Sequence, residues 1–466
     1  MIKFTDKILD NVHGFIDITE VEKKIIELPI FKRLQHIKQL SLVDWIFPGA
    51  EHTRYIHSLG VMHIADQMAL HLNYDDEHRT LVRLAGLLHD LGHYPLSHEG
   101  ETAYMDTYDK ADEFISNNAK HIKEKIDKID SELSLSRMSI PKEYHHERIT
   151  IKVISENKSI AKIIADDCCQ FPLVTIENIC DIITGNTRKK ELSGLIQLIH
   201  SELDADRIDY LMRDATFSGT CYGTFELGFF LRNLKKFQFN DFEIIGISKK
   251  GIAMADQFLI NRFFSYNQVV FNRHVAILGK MVSLLMREYR QTQSFINKDL
   301  LAKHIEEHEK TETYNKFTDI LFWSELHKDN RLADVLLNKI SNALLHNNEI
   351  GYVSDEKMII SDDWKKIKSE IQNTNMYKSL MAPKKNNIQL FHEMMFTKQV
   401  PIEKYRDQAE REHYQIDNML VKVYQEAIVV FDDDGSNLRL LVDCPESIMS
   451  QLYKTKLCIL REYSIV

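Results

Sequence analysis

The stretch LAGLLHDLGHYPLSHEGE, Leu84 to Glu101, decides how this chain is read, because an apolar helical run there ends on an adjacent histidine and aspartate, His89 and Asp90. Leu81, Leu84, Ala85, Leu88 and Leu91 recur at helical spacing, which predicts a helix with one buried stripe, ended by Gly92. Neighbouring His and Asp side chains leave a helix in different directions. Both reach one metal ion only if the helix is deeply packed and other elements close the coordination shell. Two segments offer that closure. HTRYIHSLG, His52 to Gly60, carries His57 at the opening of a helix whose stripe continues through Val61, Ile64, Ala65 and Met68. SELDADRIDYLMRD, Ser201 to Asp214, sets Asp206, Tyr210 and Asp214 on one helix face, with Arg207 and Arg213 flanking it.

Two neutral imidazoles and two carboxylates make a mixed nitrogen and oxygen site. Such a site suits Fe, Mn, Zn or Ni, whereas one dominated by oxygen favours Mg. A second group surrounds it. His93 follows His89 by one helical turn, His98 follows a Pro-containing turn, and Glu101 is spaced to orient an imidazole. His146, in the run HHE from His145 to Glu147, adds a further imidazole. His63, His71 and His78 read as exposed or partly buried helix positions.

Composition bounds the rest. At 466 residues and 44% hydrophobic the chain can bury a large core and is expected to divide into lobes, since single cores rarely grow past about 250–300 residues. No apolar run approaches the ~20 residues that cross a bilayer, and the polar start MIKFTDKILDN is not a secretion signal, so a cytoplasmic protein is expected. The six cysteines show no CxxC pairing, which argues against a disulfide framework and a zinc ribbon. A net charge of −10 disfavours sequence-independent nucleic-acid binding as the main role. The basic clusters Arg188-Lys189-Lys190, Lys235-Lys236, Lys249-Lys250 and Lys384-Lys385 read as solvated surface.

The carboxy-terminal third changes character. EAIVVFDDDGSNLRLLVD predicts a hairpin, PESIMSQLYKTK a helix and LCILREYS a strand. A lobe boundary is expected between Lys303 and Tyr314, dividing the chain into 1–300 and 301–466. The charged segment at about 101–144 is expected to be a helical insertion near the pocket mouth.

From Asn11 to Arg273 the chain resembles the HD-domain phosphohydrolases, and within them the deoxynucleoside-triphosphate triphosphohydrolases. The resemblance is carried by the block from Gly14 to Ala65, the HD segment, the HHE run and the DADRIDYLMRD helix, in that order. It implies a mainly α fold, an HD-domain helical core with a smaller α+β carboxy-terminal region. It also implies hydrolysis of a dNTP to nucleoside and inorganic triphosphate. The metal ligands would be His57, His89, Asp90 and Asp206, holding one divalent ion (Fe, Mn, Zn, Ni or Mg), with additional Mg carried by the triphosphate. His93, His98, Glu101 and His146 would serve the water or the leaving oxygen. Arg54, Arg207 and Arg262 would grip the phosphates beside Tyr210 and Asp214, and Gln39 and Leu40 would contact the deoxyribose. A homo-oligomer, dimer or tetramer, responding to an activating or inhibiting nucleotide is implied as well. Control of the dNTP pool or defence against phage would follow.

Two departures bear on those expectations. Where the family commonly carries a sugar-packing tyrosine and a His-Lys pair, this chain substitutes Val270, Phe271 and Asn272, with Tyr266, counted among the substrate-binding residues, and Arg273 expected to compensate in part. In ELPIFKRLQHIKQL, Glu27 keeps an acid, but Lys32 and Gln35 replace the glutamine and arginine that meet an activating nucleotide. An HD phosphodiesterase acting on a signalling or oligonucleotide phosphate, and a catalytically silent nucleotide-sensing subunit, remain open alternatives.

Overall fold

The structure, a computed structural model, describes residues 2–105, 111–129, 143–186, 189–291, 295–328, 335–346, 351–384, 387–412, 416–432 and 437–465. A hairpin of β1 (Phe4–Asp10) and β2 (Gly14–Thr19) leads into the helices that carry the site. These are α1 (Arg54–His71), α2 (Asp76–Leu88), α3 (Ser97–Met105), α4 (Ala111–Asp127), α5 (His146–Glu156) and α6 (Ala205–Ser218). Then come β3 (Leu234–Phe239) and β4 (Phe242–Ser248), α7 (Ile252–Ser265) and α8 (Arg273–Tyr289). The remaining strands are β5 (Gly351–Ser361), β6 (Asn387–Met395), β7 (Val429–Phe431), β8 (Leu438–Leu440) and β9 (Lys456–Ile465). The fold is mainly α with smaller α+β parts.

Helix α2 begins where Asp75 accepts the His78 amide, with Asp76 and Glu77 in the first turn favouring the positive end of the helix dipole. It ends at Leu88, earlier than the expected stop at Gly92. His89 is its C-cap, so the chain turns there and Asp90 leaves the helix to face inward. Gly92 has another role: a Cβ on it would lie 2.1 Å from the Thr150 nitrogen and 2.4 Å from the His146 carbonyl, so its absence lets α5 approach. Helix α6 is capped by Asp204, which accepts the Arg207 amide at 2.8 Å, and stops at Gly219 in the left-handed region.

The expected carboxy-terminal hairpin is present as antiparallel β7 and β8, and LCILREYS lies within β9. The helix read in PESIMSQLYKTK is a single turn, Met449–Leu452. Strand β7 also pairs in parallel with β4, Ile247 opposite Val430, while β5, β9 and β6 form a separate antiparallel sheet. One hydrophobic core runs from Ile16 to Ile465. A smaller cluster packs Ala119, Ile122 and Ile126 of α4 against Ile367, Ile371, Cys458 and Leu460. Of the expected insertion at 101–144, residues 106–110 and 130–142 lie outside the described residues, as does Arg188 of the first basic cluster and Lys385 of the last. We propose the two-lobe division near residue 300 as a statement about folding units, testable by limited proteolysis. Among the described residues no single helix is long and apolar enough to cross a membrane. All six cysteines are free.

Candidate metal centre

Three elements bring the expected ligands to one point. His57 stands in the first turn of α1, His89 and Asp90 on the turn leaving α2, and Asp206 in the first turn of α6. His57 Nε2 lies 3.0 Å from Asp206 Oδ1 and 3.9 Å from Asp90 Oδ2. His89 Nε2 lies 3.3 Å from Asp90 Oδ1 and 3.8 Å from Asp206 Oδ1.

The hydrogen bonds behind the two rings fix which nitrogen faces the centre. His89 Nδ1 lies 2.8 Å from the Gly86 carbonyl, which can only accept, so Nδ1 carries the proton. His57 Nδ1 lies 2.7 Å from Asp209 Oδ2, again an acceptor. Both Nε2 atoms are buried and lack a hydrogen-bond partner. A buried imidazole nitrogen without a partner costs stability unless something else satisfies it. Two such nitrogens converging with two carboxylates fit a divalent cation of the mixed-donor kind.

Electrostatics agree with that fit. Burial opposes a charge on His57, but Asp206 and Asp209 outweigh it and push its pKa up to about 10. Burial also opposes ionising Asp90, yet Arg54, His89 and His57 hold it well below the usual carboxylate range. Asp206 is lowered against its burial by His57 and His89. The pocket is thus built to keep two carboxylates charged, and a cation answers that charge.

Beside it stands a group centred on Glu101. Glu101 Oε1 accepts from the His146 backbone at 2.7 Å and lies 2.9 Å from His146 Nδ1, while Oε2 lies 3.0 Å from His98 Nδ1. Burial works against ionising Glu101, but the two histidines hold it well below its ordinary range. His93 is stacked on His146 with ring centroids 4.1 Å apart. Burial, then Arg54 and His146, keep His93 well below the usual imidazole range. His146 is lowered mainly by burial, and His98 is the exposed member, its side chain 65% accessible.

The expected substrate residues are placed unevenly. Arg54 is buried and gives its donors to the protein: Nη1 to Asp90 at 2.6 Å, Nε to Ser97 Oγ at 2.9 Å and Nη2 to the Gln39 carbonyl at 3.4 Å. It therefore braces the carboxylate of Asp90, one of the expected ligands. Gln39 is buried with Oε1 unpartnered, and Leu40 packs against the Val43, Ala50, Val269 and Val275 cluster. Arg207 is partly exposed, 3.6 Å from Asp204. Arg262 meets Glu202 at 3.3 Å. Tyr210 is raised well above the usual phenol range by burial and then by Tyr266, with Arg262 and Arg207 pulling the other way, so these four share one electrostatic neighbourhood. Asp214 faces His52 Nε2 at 2.8 Å. Val270 ends a π-helical turn, Tyr266–Val270, and is half-buried. Lys32 is paired with Glu27 at 2.5 Å on the surface. His63 and His78 are half-buried and His71 is exposed.

Sequence reasoning missed Asp209, which holds His57 from behind. Its signal was present, one turn after Asp206 in DADRIDYLMRD, but the face chosen for that helix was the Asp206, Tyr210 and Asp214 face. It also missed Glu202, for which nothing local speaks.

A helical core that brings His57, His89, Asp90 and Asp206 together from three helix ends offers a candidate metal site. Comparison with known proteins places it further. The HD domain family matches residues 54–214. An uncharacterized protein of Methanocaldococcus jannaschii is 30% identical over 293 residues, 63% of this chain and 52% of that protein. The deoxynucleoside triphosphate triphosphohydrolase SAMHD1 of Gallus gallus is 25% identical over 389 residues, 78% of this chain and 59% of that one. A hypothetical protein from Aquifex aeolicus shares the fold, with a TM-score of 0.65 at 23% identity, covering 99% of this chain and 96% of that chain. The match to the first curated relatives spans about half their length, 52% and 51%. Residues 54–214 carry an HD domain, and the chain is similar to deoxynucleoside triphosphate triphosphohydrolases among other proteins.

Proposed function

We propose that this protein hydrolyses deoxynucleoside triphosphates to deoxynucleoside and inorganic triphosphate. The observation that carries the reading is the convergence of His57, His89 and Asp206, with Asp90 within 3.9 Å of His57 and 3.3 Å of His89 and two imidazole nitrogens without a hydrogen-bond partner, near the His98–Glu101–His146 group; Arg207 and Arg262 lie in the electrostatic neighbourhood of Tyr210. His57, His89, Asp90 and Asp206 would hold a divalent ion, which would supply Lewis-acid charge to the phosphate when bound. The chain's own residues do the rest. Arg207 and Arg262 hold phosphate oxygens, and Arg54 keeps Asp90 ionised and in place. Water forms a new bond to the α-phosphorus as the bond to the 5′-oxygen breaks. A histidine of the Glu101-held pair protonates that oxygen, and Glu101 keeps its ring oriented.

Gln39 and Leu40 would lie along the deoxyribose. With Val270 in place of a tyrosine the sugar pocket is looser, and an apolar pocket rejects an added hydroxyl by only about 10²-fold. A dNTP preference with measurable rNTP binding follows. Regulation by a second nucleotide and assembly into a homo-oligomer belong to the same reading.

The test is incubation of the metal-loaded full chain with each dNTP and rNTP, alone and in mixtures, followed by chromatographic separation. The expected products are deoxynucleoside and intact triphosphate, with rNTPs competing measurably. A nucleoside monophosphate as the primary product would contradict the reading and favour a phosphodiesterase.

A further inference from the structure

Two segments of the site meet on one carboxylate from the carboxy-terminal half of the chain. Asp319 is buried at the start of α9 (Asp319–His327), outside the HD-domain match to residues 54–214. Its Oδ2 accepts from the Lys38 backbone at 2.9 Å and its Oδ1 from the Leu96 backbone at 2.6 Å. An ionised carboxylate only accepts, so each oxygen answers one of two converging N–H groups. Burial pushes the Asp319 carboxyl up to about 6 against the pull of those amides, which leaves it ionised at neutral pH.

The segments it joins carry site residues. Lys38 precedes Gln39, and Leu96 precedes Ser97 and His98. Ser97 Oγ donates to the Lys38 carbonyl at 2.6 Å and accepts from Arg54 Nε at 2.9 Å. Leu96 and Ser97 both lie in the left-handed region, with φ of 56° and 54°. Side chains rarely adopt that conformation, and it persists where the surroundings over-determine it. Here those surroundings are two side chains. Arg33 donates to the Leu91 carbonyl at 3.2 Å and to the His93 carbonyl at 2.5 Å, holding the start of the turn, while Asp319 holds its end. Arg33 Nε also donates to the Phe317 carbonyl at 2.9 Å, so the segment 317–319 and the turn 91–97 are fastened together at both ends. Helix α9 makes a further contact with the loop that follows Gln39: Trp323 stacks on Trp45 with ring centroids 6.0 Å apart.

We infer that Asp319 is a positioning residue of the hydrolytic site, fixing the Leu96–Ser97 turn against the Lys38–Gln39 segment so that His98 and Gln39 keep one relative placement. The inference rests on the hydrolase reading above and gives the carboxy-terminal half a part in the site. Its two hydrogen bonds go to Lys38 and Leu96, whereas Arg207 and Arg262 stand on α6 and α7.

Asp319→Asn keeps the shape but turns an NH2 group toward one of the two N–H donors. A misplacement of about 1 Å costs about 10²-fold, so kcat for a dNTP is expected to fall by about that factor while KM stays within about threefold of wild type. Metal content should be retained. Backbone amide exchange, read by mass spectrometry, should rise in peptides covering 36–41 and 91–98. Wild-type exchange in those peptides would overturn the inference, and so would unchanged kcat. Exchange raised evenly along the chain, with metal lost, would also overturn it by marking a merely structural role. Should Asp319→Asn fail to fold, Ser97→Ala, which breaks the same junction from the other side, carries the test with the same expectations. Wild type that turns over no dNTP, with exchange raised in the two segments of the variant, would sink the triphosphohydrolase reading alone. The fall in kcat is then read on bis-p-nitrophenyl phosphate, and an unchanged kcat on that ester, or no turnover of it by wild type, would overturn the inference.

Discussion

His57 donates from Nδ1 to Asp209 Oδ2 across 2.7 Å, and this bond turns the opposite nitrogen toward Asp206 and Asp90. Asp209 is itself held by Arg213, through Nε at 2.8 Å and Nη2 at 2.9 Å, and by His13 Nε2 at 2.6 Å. Arg213 reaches on to Asp10 at 2.8 Å, so the β1 strand braces His57 through two buried ion pairs.

Asp209→Asn should therefore lower metal affinity by about 10–100-fold, the usual effect of losing a partner behind a ligand, although Asp209 is not placed as a ligand itself. Metal content measured by mass spectrometry against a competing chelator checks this. Affinity equal to wild type would show that the His57–Asp209 bond does not orient the ring.

Gly60 makes the same point through space. A Cβ there would stand 1.9 Å from Asp209 Oδ1 and 2.4 Å from Arg213 Nη2. Gly60→Ala should cost about 1–3 kcal/mol of stability and weaken metal binding as well. Gly228→Ala, whose added carbon would meet nothing nearer than Arg232 Nη1 at 3.8 Å, is the control and should change neither. Equal behaviour of the two variants in thermal melts and metal titration would contradict the packing argument.

The Glu101 group predicts a split between chemistry and binding. His146→Gln should depress turnover by about 10²–10⁴-fold while metal content is retained, because its ring is held by Glu101 and not by the ligand carboxylates. Glu101→Gln should follow in the same direction, since the amide offers only one acceptor to a histidine pair. Loss of metal in His146→Gln would move that residue into the coordination shell.

Those residues also show where the sequence was informative. That His57, His89, Asp90 and Asp206 come close together was legible from the order of their motifs; helical spacing helped most for Leu81 to Leu88 and for Asp206, since the helix of His57 is buried on nearly all sides. Asp209 was overlooked because the face of α6 that points at α1 depends on packing against Gly60, which spacing alone does not reveal. The early end of α2 at Leu88 arises from a tertiary contact, Thr150 Oγ1 donating to the His89 carbonyl at 3.0 Å. Arg54 was legible as a neighbour of His57, but its pairing with Asp90 depends on a turn that no local pattern encodes. Glu202 and Thr397 meet although 195 residues separate them, and such contacts leave no periodic trace.

Two half-buried histidines contribute to the acid limb of stability. Burial lowers His63 to about 4 and His392 to about 3, so each is neutral in the folded protein and titrates near 6.5 when unfolded. Below pH 6.5 the unfolded chain binds more protons at these positions, so their contribution to stability is present above that pH and is lost as pH falls toward 4 and 3. Asp319, raised by burial to about 6, works in the opposite direction: stability it contributes at low pH is lost as pH rises through 6. Thermal melts of wild type and His392→Gln at pH 7.5 and pH 5 separate the two. The loss on acidification should be smaller in the variant, and an identical loss would contradict a neutral buried His392.

The most direct test of the central claim is dNTP hydrolysis in ¹⁸O-labelled water, with products resolved by ³¹P NMR and mass spectrometry. Attack of water on the α-phosphorus predicts one labelled oxygen in intact inorganic triphosphate and none in the deoxynucleoside. Label in the deoxynucleoside, or the appearance of a deoxynucleoside mono- or diphosphate in place of triphosphate, would contradict it.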